Sequence, residues 1–409
     1  MWRIFLTVSL LCWSADGQDV KCRDHNNGEV DWYIIYKAPK LNNIGTEGLE
    51  YIYIDPKGKK TYKDHNKLIN NTNGVLANTL KPLFKPTTSM PADFGFISYS
   101  DQPPPDGKGV PDKFGHSKGL VMMDKDQTGV WLLHSTPKFP FERDQNKKNF
   151  YPPSGVANAQ TFICVTFNYD QFKQIGQHLL NIAAFPFDHH IPPDFHKELI
   201  NVTEKDLNKS RPGEGIQELT SAGRTSFRSI AKKLYKEEER PQQGINDGDL
   251  YLTIAETYKT DVRVQTWPCQ QDKPYCEQNQ PQVINIKSVK ANLGNGEVKW
   301  TAGVDHSKWC VAKDNNNHLI CIADVNRALS QYKRPGGGLC FVHQQVSELF
   351  KGVIDQTEDC SSKLPRVSDP DCDPDAGSLS DGINKPLPLS PLLFGSLCAL
   401  VYHFQMIIN

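Results

Sequence analysis

Apolar residues in this chain come in short bursts, rich in aromatic and β-branched side chains and bounded by Gly, Pro, Asn and Asp. That pattern marks strands more than long amphipathic helices. Val30-Asp-Trp-Tyr-Ile-Ile-Tyr36, Leu49-Glu-Tyr-Ile-Tyr-Ile54 and Phe162-Ile-Cys-Val-Thr-Phe167 read as strands. Asp101 to Pro111, loaded with Pro and Gly, reads as a loop. Beyond it a strand is expected, then a hairpin turn over Met122 to Gly129 and a returning strand, Val130 to His134. Tyr169 to Ala184 is predicted to be a helix. In the second half, Thr225 to Glu239 is read as a helix with a solvated, charged face. Leu250 to Tyr258, Asp261 to Trp267 and Val283 to Val289 read as strand-like or mixed, and Leu319 to Val325 as an apolar strand. The polar, Pro-punctuated stretch from Phe185 to Gly215 reads as the link between halves; its His189-His190 pair matches no metal spacing and fits a solvated loop. The expected class is mixed α/β, divided into an N-terminal half at 18–190, a connecting segment at 191–220 and a C-terminal half at 221–365.

One tripeptide occurs in both halves. His116-Ser-Lys-Gly-Leu-Val-Met-Met-Asp124 lies without a gap on His306-Ser-Lys-Trp-Cys-Val-Ala-Lys-Asp314, with His, Ser, Lys, Val and Asp coinciding. Ten positions past each Asp, after an apolar run, stand His134 and Asp324. A repeat of this kind implies two related halves that place one copy each at a shared site. On an extended strand, positions i and i+2 share a face, so His and Lys of each copy project together. Two such strands supply two imidazoles and two ammonium groups, a set suited to cleaving a phosphodiester. One neutral His attacks phosphorus, the other, protonated, releases the alcohol, and the lysines hold the non-bridging oxygens. A single His-x-Lys would be no more than a tripeptide on a solvated strand; the second copy with matching flanks argues for a site. Arg334-Pro-Gly-Gly-Gly338 lacks the context and the Lys-Ser/Thr of a phosphate-binding loop, and reads as a turn.

Charge and targeting signals then narrow the setting. Forty-six Lys and Arg against 47 Asp and Glu leave a net charge of −1, so a polyanion must bind through a local basic cleft. In an acidic vesicle the 12 His and the protonating carboxylates turn the surface positive. Residues 1–17 read as a signal peptide. In the oxidising lumen this implies, the 11 Cys read as disulfides, and no Cys-x-x-Cys pair points to zinc. Cys310 stands two residues from Lys308, so a thiol nucleophile is a minor alternative. No metal or cofactor is expected. Asn70, Asn201 and Asn208 head glycosylation sequons. The tail at 366–409 combines small residues, a polar spacer and an apolar end, the layout of a lipid-anchor signal or other membrane attachment; a loose or trimmed tail is the alternative.

The chain resembles the deoxyribonuclease II family, whose fold is similar to that of the phospholipase D superfamily. The resemblance spans nearly the whole mature chain. It rests on Gly28-Glu-Val-Asp-Trp32, Tyr36-Lys-Ala-Pro39, Asp101-Gln-Pro-Pro104, Gly115-His-Ser-Lys-Gly119, Trp131-Leu-Leu-His-Ser135, Gln160-Thr-Phe-Ile-Cys164, His306-Ser-Lys-Trp-Cys310 and Gly336-Gly-Gly-Leu-Cys340. It implies a pseudodimer of two phospholipase D-like halves, each carrying one His-x-Lys. It also implies a lysosomal or secreted endonuclease that cuts double-stranded DNA at acid pH without a metal, leaves 3′-phosphate ends, and serves degradation of engulfed or apoptotic DNA. His116 is then the expected nucleophile, His306 the general acid, Lys118 and Lys308 the phosphate ligands, and His134 an orienting or proton-shuttling group. The ordinary imidazole pKa of ~6.5 would account for acid activity. The resemblance also implies disulfides Cys22–Cys164, Cys276–Cys360 and Cys321–Cys340. The superfamily signature sets an Asp five residues after the Lys, where this chain has Met123 and Lys313, so Asp124 and Asp314 receive no such role. The alternatives are a superfamily phosphodiesterase acting on lipid head groups and a secreted DNA-binding protein without catalysis.

Overall fold

The computed structural model describes residues 20–361 apart from 43–44, 63–66, 106–109, 142, 144–147, 206–211, 235–247, 270 and 295. The expected signal peptide, Asn208 and the 366–409 tail lie outside the described residues. The backbone builds two large sheets and few helices.

The first sheet contains β1 (Trp32–Lys37), β2 (Tyr51–Asp55), β3 (Gly58–Tyr62), β4 (Phe94–Ser100), β5 (Lys118–Asp124), β6 (Thr128–His134), β7 (Gln160–Asn168) and β8 (Pro186–His190). Their order across the sheet is β8-β4-β5-β6-β7-β1-β2-β3, and every pairing is antiparallel. After β7 comes helix α1 (Phe172–Asn181), and after β8 helix α2 (Lys197–Thr203). The stretch expected to link the halves thus holds an edge strand and a helix, with His189-His190 on β8.

The second sheet contains β9 (Gly215–Thr220), β10 (Ser226–Ala231), β11 (Val262–Gln265), β12 (Val283–Asn292), β13 (Glu297–Thr301), β14 (Trp309–Ala312), β15 (Leu319–Ala323), β16 (Gly337–Val342) and β17 (Ile354–Thr357). Its order is β9-β10-β16-β15-β14-β11-β12-β13, with β17 on β12; only β11–β12 is parallel. Helices α3 (Leu250–Tyr258) and α4 (Gln344–Gly352) pack on this half.

Two segments depart from the sequence reading. Thr225 to Glu239 begins as strand β10, because Phe227, Ile230 and Ala231 are buried and β10 is hydrogen-bonded on both sides, to β9 and β16. Its charge pattern imitates a helix; the sheet ladder decides. Leu250 to Tyr258 is a helix, not strand-like. Asp249 caps it by accepting from the Tyr251 N–H, and Lys259 ends it in the left-handed region at φ 50°.

Strand residues alternate between two cores. Trp32, Ile34 and Tyr36 enter a central cluster shared with Trp309, Ile320, Ile322 and Phe341 of the second sheet. Tyr33 and Ile35 enter a core behind the first sheet, while Cys310, Cys321 and Ala323 belong to one behind the second. Both faces of both sheets are therefore covered, which is why these strands read as continuous apolar runs. Burying each large apolar side chain contributes roughly 1.5–3 kcal/mol. Disulfides Cys22–Cys164, Cys276–Cys360 and Cys321–Cys340 are formed, and Cys310 is the free cysteine among the described residues.

Candidate functional site

The two His-x-Lys copies sit where strands begin, one in each sheet. Lys118 opens β5, and Lys308 directly precedes β14. Each motif is tied to the opposite half through its His backbone. The His116 N–H donates to the Pro335 carbonyl at 3.1 Å, and the His306 N–H to the Ala159 carbonyl at 3.0 Å. Gly115 lies tight against both halves: a Cβ there would stand 2.0 Å from the Ile182 carbonyl oxygen and 3.1 Å from that of Pro335.

Asp101, the residue after β4, joins the first motif. Ser100 pairs with Lys118 in the ladder, so the end of β4 lies beside the start of β5. The Asp101 carboxylate is 4% exposed; Oδ2 lies 2.6 Å from His116 Nδ1 and Oδ1 2.6 Å from Lys118 Nζ. Arg334 approaches from the second half, with Nη1 3.3 Å from Asp101 Oδ2 and 3.5 Å from His116 Nδ1. Its Nε and Nη2 donate to the Phe114 carbonyl at 3.4 and 3.3 Å. Burial alone would raise the Asp101 carboxyl, but His116, Lys118 and Arg334 hold it well below the usual carboxylate range. An ionised Asp101 accepts the Nδ1–H of His116, which leaves the Nε2 lone pair available.

Burial pushes His116 down to about 3, with Lys118 and Arg334 adding to the fall and Asp101 opposing it. His306 is also pushed to about 3, by burial and then by Lys308, Lys118, His116 and Lys37. Its ring lies 4.8 Å from that of Trp267. Burial and the Lys118 charge bring Lys308 down to about 7, and its Nζ donates to the His306 carbonyl at 2.9 Å. The two motifs thus share one electrostatic environment. Both rings are pushed below the ordinary imidazole value on which the expectation of acid activity rested, because desolvation disfavours their charged forms.

His134 stands at the end of β6, one step past the Leu133–Gly119 pair and so beside Lys118. Its Nδ1 accepts from the Thr136 N–H at 3.2 Å, which places the ring proton on Nε2. Nε2 is buried and has no protein partner among the described residues. The ring packs against Phe139 and Phe162, and burial lowers it to about 3. No hydrogen bond links it to either motif; its link to the site is the charge of Lys118.

The second hairpin is one residue shorter than the first. Gly119 pairs with Leu133, whereas Trp309 pairs with Ile322. Ala323 therefore occupies the ladder position of His134, and Asp324 falls one residue beyond. Asp324 Oδ2 accepts from the Gly337 N–H at 3.2 Å, while buried Oδ1 has no partner among the described residues. Burial raises this carboxyl well above its ordinary value, against the pull of Lys118 and Lys308.

Asp101 and Arg334 are the residues that motif reading passed over. Asp101 lies in the Asp101-Gln-Pro-Pro104 stretch that carries the family resemblance, and Arg334 heads a segment read as a turn; only the packing of the halves joins them. Cys310 is buried in the core behind the second sheet, and burial pushes its thiol pKa up, so it remains a thiol and not a nucleophile. Asn70 is exposed and Asn201 is half-buried on α2. No helix among the described residues is long and apolar enough to cross a membrane.

Comparison with known proteins identifies the family. The profile of the family described as Deoxyribonuclease II matches residues 21–360. Human deoxyribonuclease-2-beta is 31% identical over 354 residues, covering 83% of this chain and 92% of its own. Cell-death-related nuclease 7 of Caenorhabditis elegans is 26% identical over 361 residues, covering 88% and 93%. Among solved structures, yeast tyrosyl-DNA phosphodiesterase covers 56% of this chain and 67% of its own at 8% identity, with a TM-score of 0.29, too low to bear on the fold. The family match spans both His-x-Lys motifs and nearly all of the described chain: the protein belongs to the deoxyribonuclease II family.

Proposed function

We propose that this protein is an acid endodeoxyribonuclease that hydrolyses phosphodiester bonds of double-stranded DNA without a metal ion and leaves 3′-phosphate ends. Family membership supports the nuclease activity; the observation that carries the mechanism is the Asp101 carboxylate bridging His116 Nδ1 and Lys118 Nζ, each at 2.6 Å. A ring so held directs the Nε2 lone pair outward as a nucleophile. In the proposed first step His116 Nε2 bonds to phosphorus and the bond from phosphorus to the 5′-oxygen breaks. His306 gives that oxygen its proton, and Asp101 stabilises the phosphohistidine ring. His306, now neutral, then takes a proton from water, which attacks phosphorus and releases the 3′-phosphate and His116. Lys118 and Lys308 hold the non-bridging oxygens. His134, with its Nε2–H unpaired, orients the phosphate or relays a proton.

The reciprocal bonds His116 to Pro335 and His306 to Ala159 support reading the molecule as a pseudodimer whose halves share one cleft. The N-terminal leader, the sequons and the disulfides support delivery through the secretory route to a lysosome or the exterior, with Asn70, Asn201 and Asn208 as glycosylation sites. Digestion of engulfed or dying-cell DNA fits that compartment, and the apolar tail would add membrane attachment.

The test is cleavage of supercoiled plasmid at pH 5 in excess EDTA by the secreted protein, beside His116→Ala and His306→Ala. Nicking by wild type and by neither variant is expected. No nicking by disulfide-bonded wild type would leave a DNA-binding protein, and turnover of a lipid head group without salt-sensitive DNA binding would move the substrate to lipid.

A further inference from the structure

A histidine nucleophile in an acidic compartment faces two conflicting demands. It needs a carboxylate to fix its tautomer and orientation, yet that carboxylate stabilises the protonated ring, which cannot attack. Asp101 imposes this conflict on His116. The second half supplies a countercharge in the same place. Arg334 sets Nη1 3.3 Å from the carboxylate oxygen that His116 uses and 3.5 Å from His116 Nδ1 itself. The guanidinium is held there by the Phe114 carbonyl, and the next residue, Pro335, accepts the His116 backbone N–H. It is 17% exposed, so it is only partly solvated.

We propose that Arg334 is the positioning residue that lets Asp101 orient His116 without charging it, and so keeps the nucleophile competent at acid pH. The inference rests on the nuclease reading of the same site. The charged and titratable groups facing His116 are Asp101 from the end of β4, Lys118 of its own motif, Arg334 from the turn before β16 and His306 from the second motif. Exposed Asp112 stands 3.8 Å from the Arg334 Nε. Burial is the largest effect against the protonated ring; of these charged groups only Asp101 favours it, while Lys118 and Arg334 oppose it. Lys118 is engaged at the other carboxylate oxygen, Oδ1. Among the described residues, Arg334 alone shares Oδ2 with the ring. Because Arg334 belongs to the second half, this countercharge reaches the nucleophile from across the contact between the halves.

The test is the pH profile of kcat/KM between pH 4 and 6.5 for wild type, Arg334→Gln and Arg334→Lys, with secretion yield and thermal melting as folding controls. Loss of the cation moves protonation of His116 to higher pH. Below that limb the rate relative to wild type falls about tenfold per pH unit, so the Arg334→Gln deficit is greatest at pH 4 and shrinks towards pH 6. Arg334→Lys restores the limb while lowering the rate, because a lysine keeps charge but not the planar fork. Asp101→Asn keeps the limb below this window, so its deficit should not vary with pH; it serves if Arg334→Gln is not secreted. A constant deficit at every pH in Arg334→Gln, or a deficit in Asp101→Asn that grows towards pH 4, overturns the inference and leaves Arg334 a structural turn residue. Absence of cleavage by wild type in EDTA removes the nuclease reading first, and this inference with it.

Discussion

Raising the pH from 5 to 7 should lower kcat/KM about a hundredfold. The cause is the proposed general acid, His306. Burial, then Lys308, Lys118, His116 and Lys37, hold the His306 pKa at about 3, so at pH 5 only about one free molecule in a hundred carries the proton that must go to the leaving oxygen. At pH 7 the fraction is about one in ten thousand, and Lys308, with its pKa near 7, is by then about half neutral. Because kcat/KM reports the ionisation of free enzyme, it should fall about tenfold per pH unit from pH 4 to 6 and more steeply beyond 7. The assay is initial-rate cleavage of a fluorogenic DNA duplex, at concentrations well below KM, in excess EDTA and at fixed ionic strength. A plateau reaching pH 6 with a break near the ordinary imidazole value of ~6.5 would refute the reasoning. Saturating substrate should move the limb upward, since a bound phosphate brings a negative charge close to His306.

Two further outcomes follow from burial. Lys308→Met should lose about 10²–10³ in kcat/KM, as for a removed oxyanion donor, yet melt at or above the wild-type temperature at pH 5, because it no longer buries a cation there; a clear fall in melting temperature would contradict this. Asp324→Asn should gain stability relative to wild type as pH rises from 4 to 7. The unfolded carboxyl ionises near ~3.9, whereas burial keeps the folded one protonated to higher pH, so the stability Asp324 contributes is complete below ~3.9 and is lost as pH climbs towards the folded value. A melting difference that stays constant between pH 4 and 7 would show that Asp324 is ionised in the fold.

The strands of the first half were largely legible because both of their faces are buried, which writes continuous apolar, β-branched runs into the sequence. The repeated tripeptide located all four motif residues. Segments where charge or an apolar run fits either period were not legible: Thr225 to Glu239 carries helical charge spacing on a stretch that begins as a strand, and Leu250 to Tyr258 is a helix that an apolar run cannot distinguish from one. The ungapped repeat also misaligned Asp324 with His134, because a one-residue difference in a hairpin turn appears only in ladder register. Asp101 and Arg334 depend on contacts between distant parts of the chain, and a pKa set by desolvation depends on burial that no single sequence prints.

The site's charge balance sets a further condition on its substrate. Lys118, Lys308 and Arg334 bring three positive charges to the cleft at pH 5, Asp101 returns one negative charge, and Asp324 adds none while it keeps its proton. Both imidazoles stay neutral because a further cation would be poorly solvated among these. A phosphodiester anion relieves that imbalance and raises the affinity of His306 for a proton, so substrate and proton should bind together. An uncharged methylphosphonate linkage has the same backbone shape without the negative charge and should recruit no proton. Binding of short duplexes to His116→Ala protein, measured calorimetrically at pH 5 in buffers of different ionisation enthalpy, should show proton uptake with a phosphodiester and none with a methylphosphonate at the cleavage position. Equal uptake by both would mean that the proton is already on His306 or is taken up elsewhere. Uptake with the phosphodiester alone would make the substrate's own charge the agent that loads the proposed general acid, because Lys308, Lys118 and Lys37 drive the proton away from His306.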